Sequence, residues 1–255
     1  MTDISPESPP TPPAGFAAPD TGTAPEAPRR ASRLRRHPLV RVAAAVAGIA
    51  LGWGAFQLAS NLWANRNDNT PISSSSRAAS GTLTVSGHGV TLTFPAGWVN
   101  VPTTPNKMAQ FMRANATKFP HLQTALRSEL ENVQNLRQMA MLVYRLNARG
   151  KVSGNTNVVV IPATAPPGQV MPHLAGLAAR FGGIHQHDSL TTFGKYAAVL
   201  VTYMLPAETG RPAGEYGAQA YLHGPTSTPV ITVTTLNAAN TMATLRQIAD
   251  TIKFS

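Results

Sequence analysis

Residues 184–236, IHQHDSLTTFGKYAAVLVTYMLPAETGRPAGEYGAQAYLHGPTSTPVITVTTL, contain four strand candidates separated by loops rich in Gly and Pro. Each candidate is a short run of β-branched, aromatic and aliphatic residues, which is typical of β-strands. Because most of the connections are short, we expect consecutive strands to pair as antiparallel neighbours. The four candidates are residues 184–192, 196–205, 216–223 and 230–236.

Strand and helix patterns alternate on the amino-terminal side of this segment. TLTVSG and VTLTF predict a hairpin over residues 82–94. Apolar residues at helical or strand spacing predict the elements that follow. They are helices at 106–118 and from 122 onward, strands at 138–146 and 157–161, and a helix at 166–181.

A last helix, at residues 240–253, places Met242, Leu245, Ile248 and Ile252 on one face. The order is then two strands, two helices, two strands, one helix, four strands and one helix. This order predicts the α+β class, with a largely antiparallel sheet covered by helices. The domain is expected to occupy residues 81–255.

Residues 42–63, VAAAVAGIALGWGAFQLASNLW, contain no charged residue. At about 1.5 Å per residue they are long enough to cross a hydrocarbon core of about 30 Å. Six Arg residues precede them between positions 29 and 41, whereas Arg66 follows and is offset by Asp68. The positive-inside bias therefore predicts a single-pass transmembrane helix with its amino terminus in the cytoplasm and the domain outside. A cleaved signal peptide is the alternative, although its leader would be shorter.

The segments around this helix have simple compositions. Residues 1–41 are rich in Pro and Ala and end in the basic cluster, so we expect a disordered cytoplasmic tail. Residues 64–80 are polar and predict a flexible linker. Ala44, Gly48 and Gly52 recur at helical spacing, which predicts a homodimer face in the membrane. The alternative is that Ala and Gly are simply common in membrane helices.

The composition excludes several classes of site. The chain has no Cys, which removes disulfide scaffolds, Cys-ligated zinc and thiol nucleophiles. The formal net charge is +10, but the Lys and Arg residues of the domain are scattered singly. We therefore expect no nucleic-acid partner, and instead a general attraction to lipid head groups or acidic envelope polymers.

Three short segments carry a family resemblance: TLTFPAGW at 91–98, FGG at 181–183 and ADTIKF at 249–254. With the order of elements, they resemble the PsbP-like or LpqN-type family of actinobacterial envelope domains, and look like the globular part of alanine- and proline-rich secreted antigens. The resemblance implies an α/β/α sandwich with an extracytoplasmic binding or accessory role. This chain departs from the lipoprotein members because it lacks the lipidated Cys.

Two groups of residues are candidate sites. His185 and His187 are candidate ligands of Zn or Cu, because residues two apart on a strand share a face, and Asp188 or a distant His is the candidate further ligand. The alternative is an exposed polar edge of the sheet. Aromatic and thioether side chains are suited to an adaptable ligand groove, and the alternative is core packing. The residues of this second group are Trp98, Met108, Phe111 and Met112.

No nucleophile motif or nucleotide-binding loop is present in the sequence. We therefore expect no enzyme activity and no cofactor. The sequence predicts a membrane-anchored envelope protein whose outer domain binds an envelope protein, a lipid or a glycan. A metal-dependent enzyme or a metal-binding protein using His185 and His187 is the alternative, and an adhesin-like surface antigen is a further one.

Overall fold

The structure, a computed structural model, describes residues 81–131, 133–207 and 214–255. The described residues form two antiparallel sheets and a set of helices, which confirms the predicted α+β class. The predicted tail, transmembrane helix, homodimer face and linker lie outside these residues. Within them, no helix has the length and apolar character needed to cross a membrane.

The larger sheet has seven strands in the order β3-β4-β5-β9-β8-β7-β6, and the smaller has three in the order β1-β2-β10. β9 lies at the centre of the larger sheet, and all of its residues are buried. The strands are β1 (Leu83–Gly87), β2 (Val90–Phe94), β3 (Trp98–Val101), β4 (Met139–Leu146), β5 (Val152–Ile161), β6 (Ile184–Phe193), β7 (Tyr196–Leu205), β8 (Glu215–Leu222), β9 (Thr228–Thr235) and β10 (Lys253–Phe254).

Helices cover both faces of the larger sheet. The last helix packs on one face together with the small sheet, and the earlier helices pack on the other. We call these the α5 face and the α1–α4 face. The helices are α1 (Pro105–Ala114), α2 (Leu122–Glu131), α3 (Val133–Gln138), α4 (Pro167–Leu174) and α5 (Ala238–Ala249), and a 3₁₀ helix spans Ala178–Phe181.

The α5 face holds one apolar cluster, which joins Leu245 and Ile248 of α5 to Val233 of β9 and to Leu92 and Phe94 of the small sheet. The α1–α4 face holds two separate clusters. In one, helices α1–α3 pack against β4, and in the other α4 packs against β7. The middle of the α1–α4 face, over β5, β9 and β8, therefore lies between two helix groups.

Several predicted boundaries are wrong, for identifiable reasons. β5 begins at Val152 rather than at residue 157, because its polar first half pairs with both β4 and β9. The helix predicted at 166–181 ends at Leu174, and Gly176 then adopts a left-handed φ of +69°. β3 and β10 were not predicted, because strands of four and two residues carry almost no periodic pattern.

Candidate functional site

The structure does not bring the four residues of the predicted groove together. Met108 is fully buried in the cluster on the α1–α4 face, and Phe111 and Met112 pack partly buried against the same cluster. Trp98 belongs to the cluster on the α5 face, where its ring centroid lies 5.5 Å from that of Phe94. The three α1 residues are therefore core or core edge, and the sheet separates them from Trp98.

The three predicted metal ligands do not all lie on one face of the sheet. A bulge interrupts the pairing of β6 with β7 between Ile184 and His187, and His185 adopts a positive φ of +54°. His187 pairs with Thr202 and Asp188 with Val201, so the two side chains alternate across the sheet. The carboxylate of Asp188 accepts hydrogen bonds from Nε2 of Gln186 at 2.8 and 2.9 Å.

This division leaves the predicted metal site unassembled. Across the described part of the chain, no three His, Cys, Asp or Glu side chains form a group able to hold a metal ion. The alternation of the strand contributes, because it places Asp188 on the face opposite His187.

A cavity of about 260 Å³ lies on the α5 face, between the start of α5 and the strands β7 and β8. Its wall is mostly apolar and includes Met204, Tyr216, Met242, Ala238 and His185. The volume is just below the range of about 300–1,000 Å³ that is usual for small-molecule sites. It is large enough for part of a ligand, such as a short acyl segment or one apolar side chain.

The local sequence explains why the cavity has its position. Asn237 caps α5 by accepting a hydrogen bond from the backbone N–H of Asn240 at 3.1 Å. Thr241 Oγ1 lies 2.7 Å from Thr235 Oγ1 and 3.2 Å from the carbonyl oxygen of Tyr216. These contacts hold the first turn of α5 on the ends of β8 and β9, and the cavity lies beside that turn.

The edge of the cavity carries a strained residue. His185 is exposed, lines the cavity and has a left-handed backbone conformation that is uncommon for a residue other than Gly. Such conformations cost of order 1–3 kcal/mol and cluster at binding and switch regions. The sequence analysis singled out His185 for metal binding, whereas the structure places it beside an apolar cavity.

A second, smaller groove of about 180 Å³ lies at Trp98. Its wall includes Arg145 from β4 together with Asn240 and Gln247 from α5, so it is more polar than the first. The prediction that Trp98 is near a ligand groove stays a prediction. Trp98 is 7% exposed, so most of its surface is already packed in the core.

One carboxyl group with a strongly shifted pKa lies far from both cavities. Glu129 is 2% exposed, and burial raises its pKa to about 7, although the hydrogen bond from Tyr144 acts in the other direction. Tyr144 OH donates to Glu129 Oε1 at 2.8 Å. Burial and the neighbouring Glu129 also raise the pKa of Tyr144 well above its ordinary value. The pair lies among the core residues under α2, and this position is typical of a structural role.

Comparison with known proteins identifies no family. No family model matches the chain, and no curated protein matches it. A crystal structure of a protein from Bacteroides thetaiotaomicron is similar at a TM-score of 0.39 and 9% identity, over 66% of this chain and 45% of that chain. The chain therefore spans less than half the length of that protein. A likeness of this size indicates neither a family nor a function.

Proposed function

We propose that this chain is a single-pass, membrane-anchored cell-envelope protein whose extracytoplasmic domain, residues 81–255, is a non-catalytic binding module. The single observation that carries the binding role is the cavity of about 260 Å³ beside α5. Its mostly apolar wall suits the apolar part of an envelope lipid or of a protein partner. The anchor rests on the uncharged run at residues 42–63 and the Arg cluster before it.

The chemistry of the cavity favours binding over catalysis. Its wall contains one imidazole, His185, and no carboxylate. General acid–base catalysis and metal ligation both require further groups converging on one point. Two thioethers, Met204 and Met242, line it instead, and Met side chains adapt to ligands of different shape.

The family resemblance supports the more specific part of the proposal, which is the α/β/α architecture and the binding or accessory role. Helices on one face, and a helix with a small sheet on the other, are compatible with the α/β/α sandwich of PsbP-like and LpqN-type domains. A binding or accessory role is what that resemblance implies. The homodimer face at Ala44, Gly48 and Gly52 belongs to the same proposal.

Thermal unfolding of the full-length chain with short-chain phospholipids and fatty acids tests the cavity. A ligand at about 100 times its Kd stabilises by about 2.7 kcal/mol, which shifts the Tm of a domain of this size by several degrees. We expect such a shift in the wild type. In Ala238→Trp, where the new ring fills the cavity from the first residue of α5, we expect the shift to disappear.

The matched control is Ala239→Trp. Ala239 is also exposed in the first turn of α5, but it is not part of the cavity wall. This variant should keep the wild-type shift. If no lipid shifts the wild type, or if Ala238→Trp responds as the wild type does, the cavity is not the binding site.

A further inference from the structure

The groove of about 180 Å³ at Trp98, which we call the Trp98 groove, contains an arginine without an ionic partner. Arg145 lies near the end of β4, directly opposite Trp98 on β3 and Gly154 on β5. It is half-buried, and its guanidinium forms no ion pair or hydrogen bond with another described residue. Because a guanidinium is always charged, this arrangement leaves a fixed positive charge in the groove for an external anion.

Three uncharged polar side chains of α5 share the groove with Arg145. Asn240, Thr244 and Gln247 are four and three residues apart, so they follow one stripe of the helix. Within the described part of the chain, their side chains make no hydrogen bonds. Asn240 and Gln247 are exposed, whereas Thr244 is 6% exposed. A ligand in the groove therefore reaches two free amides beside the guanidinium.

The negative groups of the described residues lie away from the Trp98 groove. Four side-chain carboxylates belong to the α1–α4 side of the sheet, and they are Glu129, Glu131, Asp188 and Glu215. Asp250 follows the far end of α5, where it accepts a hydrogen bond from the N–H of Gly194 at 2.8 Å. The last residue, Ser255, bonds to Gly89 at the end of β2 that is remote from Pro95. No carboxylate among these residues therefore neutralises Arg145.

Positive charge increases at the same end of β4. Arg149 and Lys151 lie in the hairpin that joins β4 to β5, a few residues after Arg145. The sheet thus separates charge, with most carboxylates on the α1–α4 side and an uncompensated guanidinium on the α5 face. This separation favours an anionic ligand for the groove.

The wall of the groove restricts the ligand further. One guanidinium matches one carboxylate through two parallel hydrogen bonds. The amides of Asn240 and Gln247 offer both donors and acceptors, which suit hydroxyl groups because these also donate and accept. Trp98, Ala96 and Ala243 supply apolar surface. The volume corresponds to about six water molecules at about 30 Å³ each, so it suits one small ring rather than a long chain.

We propose that the Trp98 groove binds an acidic sugar, whose carboxylate pairs with Arg145 and whose hydroxyls bond to Asn240 and Gln247. The apolar cavity lies on the other side of the first turns of α5, and the two sites share no wall residue. The acidic-sugar site goes beyond the function proposed for that cavity and does not rest on it.

Titration calorimetry of the full-length chain in detergent, with D-glucuronate and D-galacturonate, tests the proposal. The methyl ester of D-glucuronate keeps the ring without the charge, and acetate keeps the charge without the ring. We expect a saturable heat and a raised Tm with at least one uronate, and neither effect with the ester or with acetate. The proposal is overturned if neither uronate binds, or if the ester or acetate binds as well as the uronates do.

Two variants localise the binding. Arg145→Gln removes the charge and should weaken uronate binding at least about tenfold, whereas Gln247→Ala removes one neutral hydrogen-bonding group and should weaken it about threefold. Neither side chain has a hydrogen-bonding or ionic partner among the described residues, so both variants should fold and unfold like the wild type. Undiminished uronate binding in Arg145→Gln would refute the site.

The matched control is Arg113→Gln, the same change at an exposed Arg of α1, which packs on the opposite face of the sheet. Its uronate binding should equal that of the wild type. Ala238→Trp should also keep full uronate binding while it loses the lipid response, because it changes only the apolar cavity. Loss of uronate binding in Ala238→Trp would contradict the separation of the two sites.

Discussion

At the scale of single residues, the most informative side chain outside the two sites is Glu129. It lies on α2 with Arg127 and Glu131 nearby in sequence, a context that suggests a charged surface turn. The structure instead turns Glu129 inward beneath Tyr144, while Glu131 remains exposed. A carboxyl group in that environment holds its proton near neutral pH, because burial penalises the charged form.

This burial predicts a pH-dependent stability. The folded-state pKa of Glu129 is about 7 against an ordinary value of 4.5, so between these values only the folded protein keeps the proton. The contribution to stability is full below about pH 4.5, declines as the pH rises to about 7 and is lost above it. The decline amounts to about 3 kcal/mol.

Urea unfolding of the wild type and Glu129→Gln from pH 5 to pH 8 measures this effect. Gln cannot ionise but still accepts the hydrogen bond from Tyr144. We expect the stability of the variant relative to the wild type to increase by about 2.5 kcal/mol across this range. Glu131→Gln, an exposed change on the same helix, should follow the wild-type profile. Parallel profiles for all three proteins would show that Glu129 does not titrate in this window.

At the scale of elements, the start of α5 connects the fold to the proposed ligand cavity. α5 has a side-chain N-cap, Asn237, whereas α1 begins after Thr104, whose side chain makes no capping hydrogen bond. Both helices sit on the sheet, but only α5 borders the apolar cavity with its first turn. The cap therefore supports the geometry of the cavity as well as the helix.

Replacing Asn237 by Ala should lower the unfolding free energy by about 1 kcal/mol, because the N–H of Asn240 loses its acceptor. Thr104→Ala is the comparison at the other helix, and its effect should stay within a few tenths of a kcal/mol. Denaturant midpoints at constant m-value measure both. Equal losses in the two variants would mean that the Asn237 side chain does not cap α5.

At the scale of the whole molecule, the proposed membrane topology can be tested by protease treatment of intact cells. Protease added to intact cells should digest residues 81–255 and spare an epitope tag placed before residue 1, because the Arg cluster keeps the tail inside. The same tag should become sensitive once the membrane is permeabilised. Loss of the tag from intact cells with retention of the domain would reverse the orientation and favour the surface-antigen alternative.

The sequence allowed part of the fold to be predicted because the strongest signals are local. β7 and α5 are long apolar patterns that keep their period, and both occur close to where they were expected. The polar first half of β5 lies outside the predicted strand at 157–161, because Ser153 and Asn155 are typical of loops. Only pairing with β4 and β9 makes that segment a strand, and pairing with distant residues leaves no local pattern.

The sequence by itself determined the α+β class and the uncharged run that predicts an anchor, since both follow from the periodicity and composition of neighbouring residues. Tertiary structure decided which side chains meet. It placed Trp98 and Met108 on opposite faces of the sheet, put Asp188 on the face opposite His187 and buried Asn157 at the sheet centre. The physical reason is that a face, a register and a cavity arise from contacts between residues far apart in the chain.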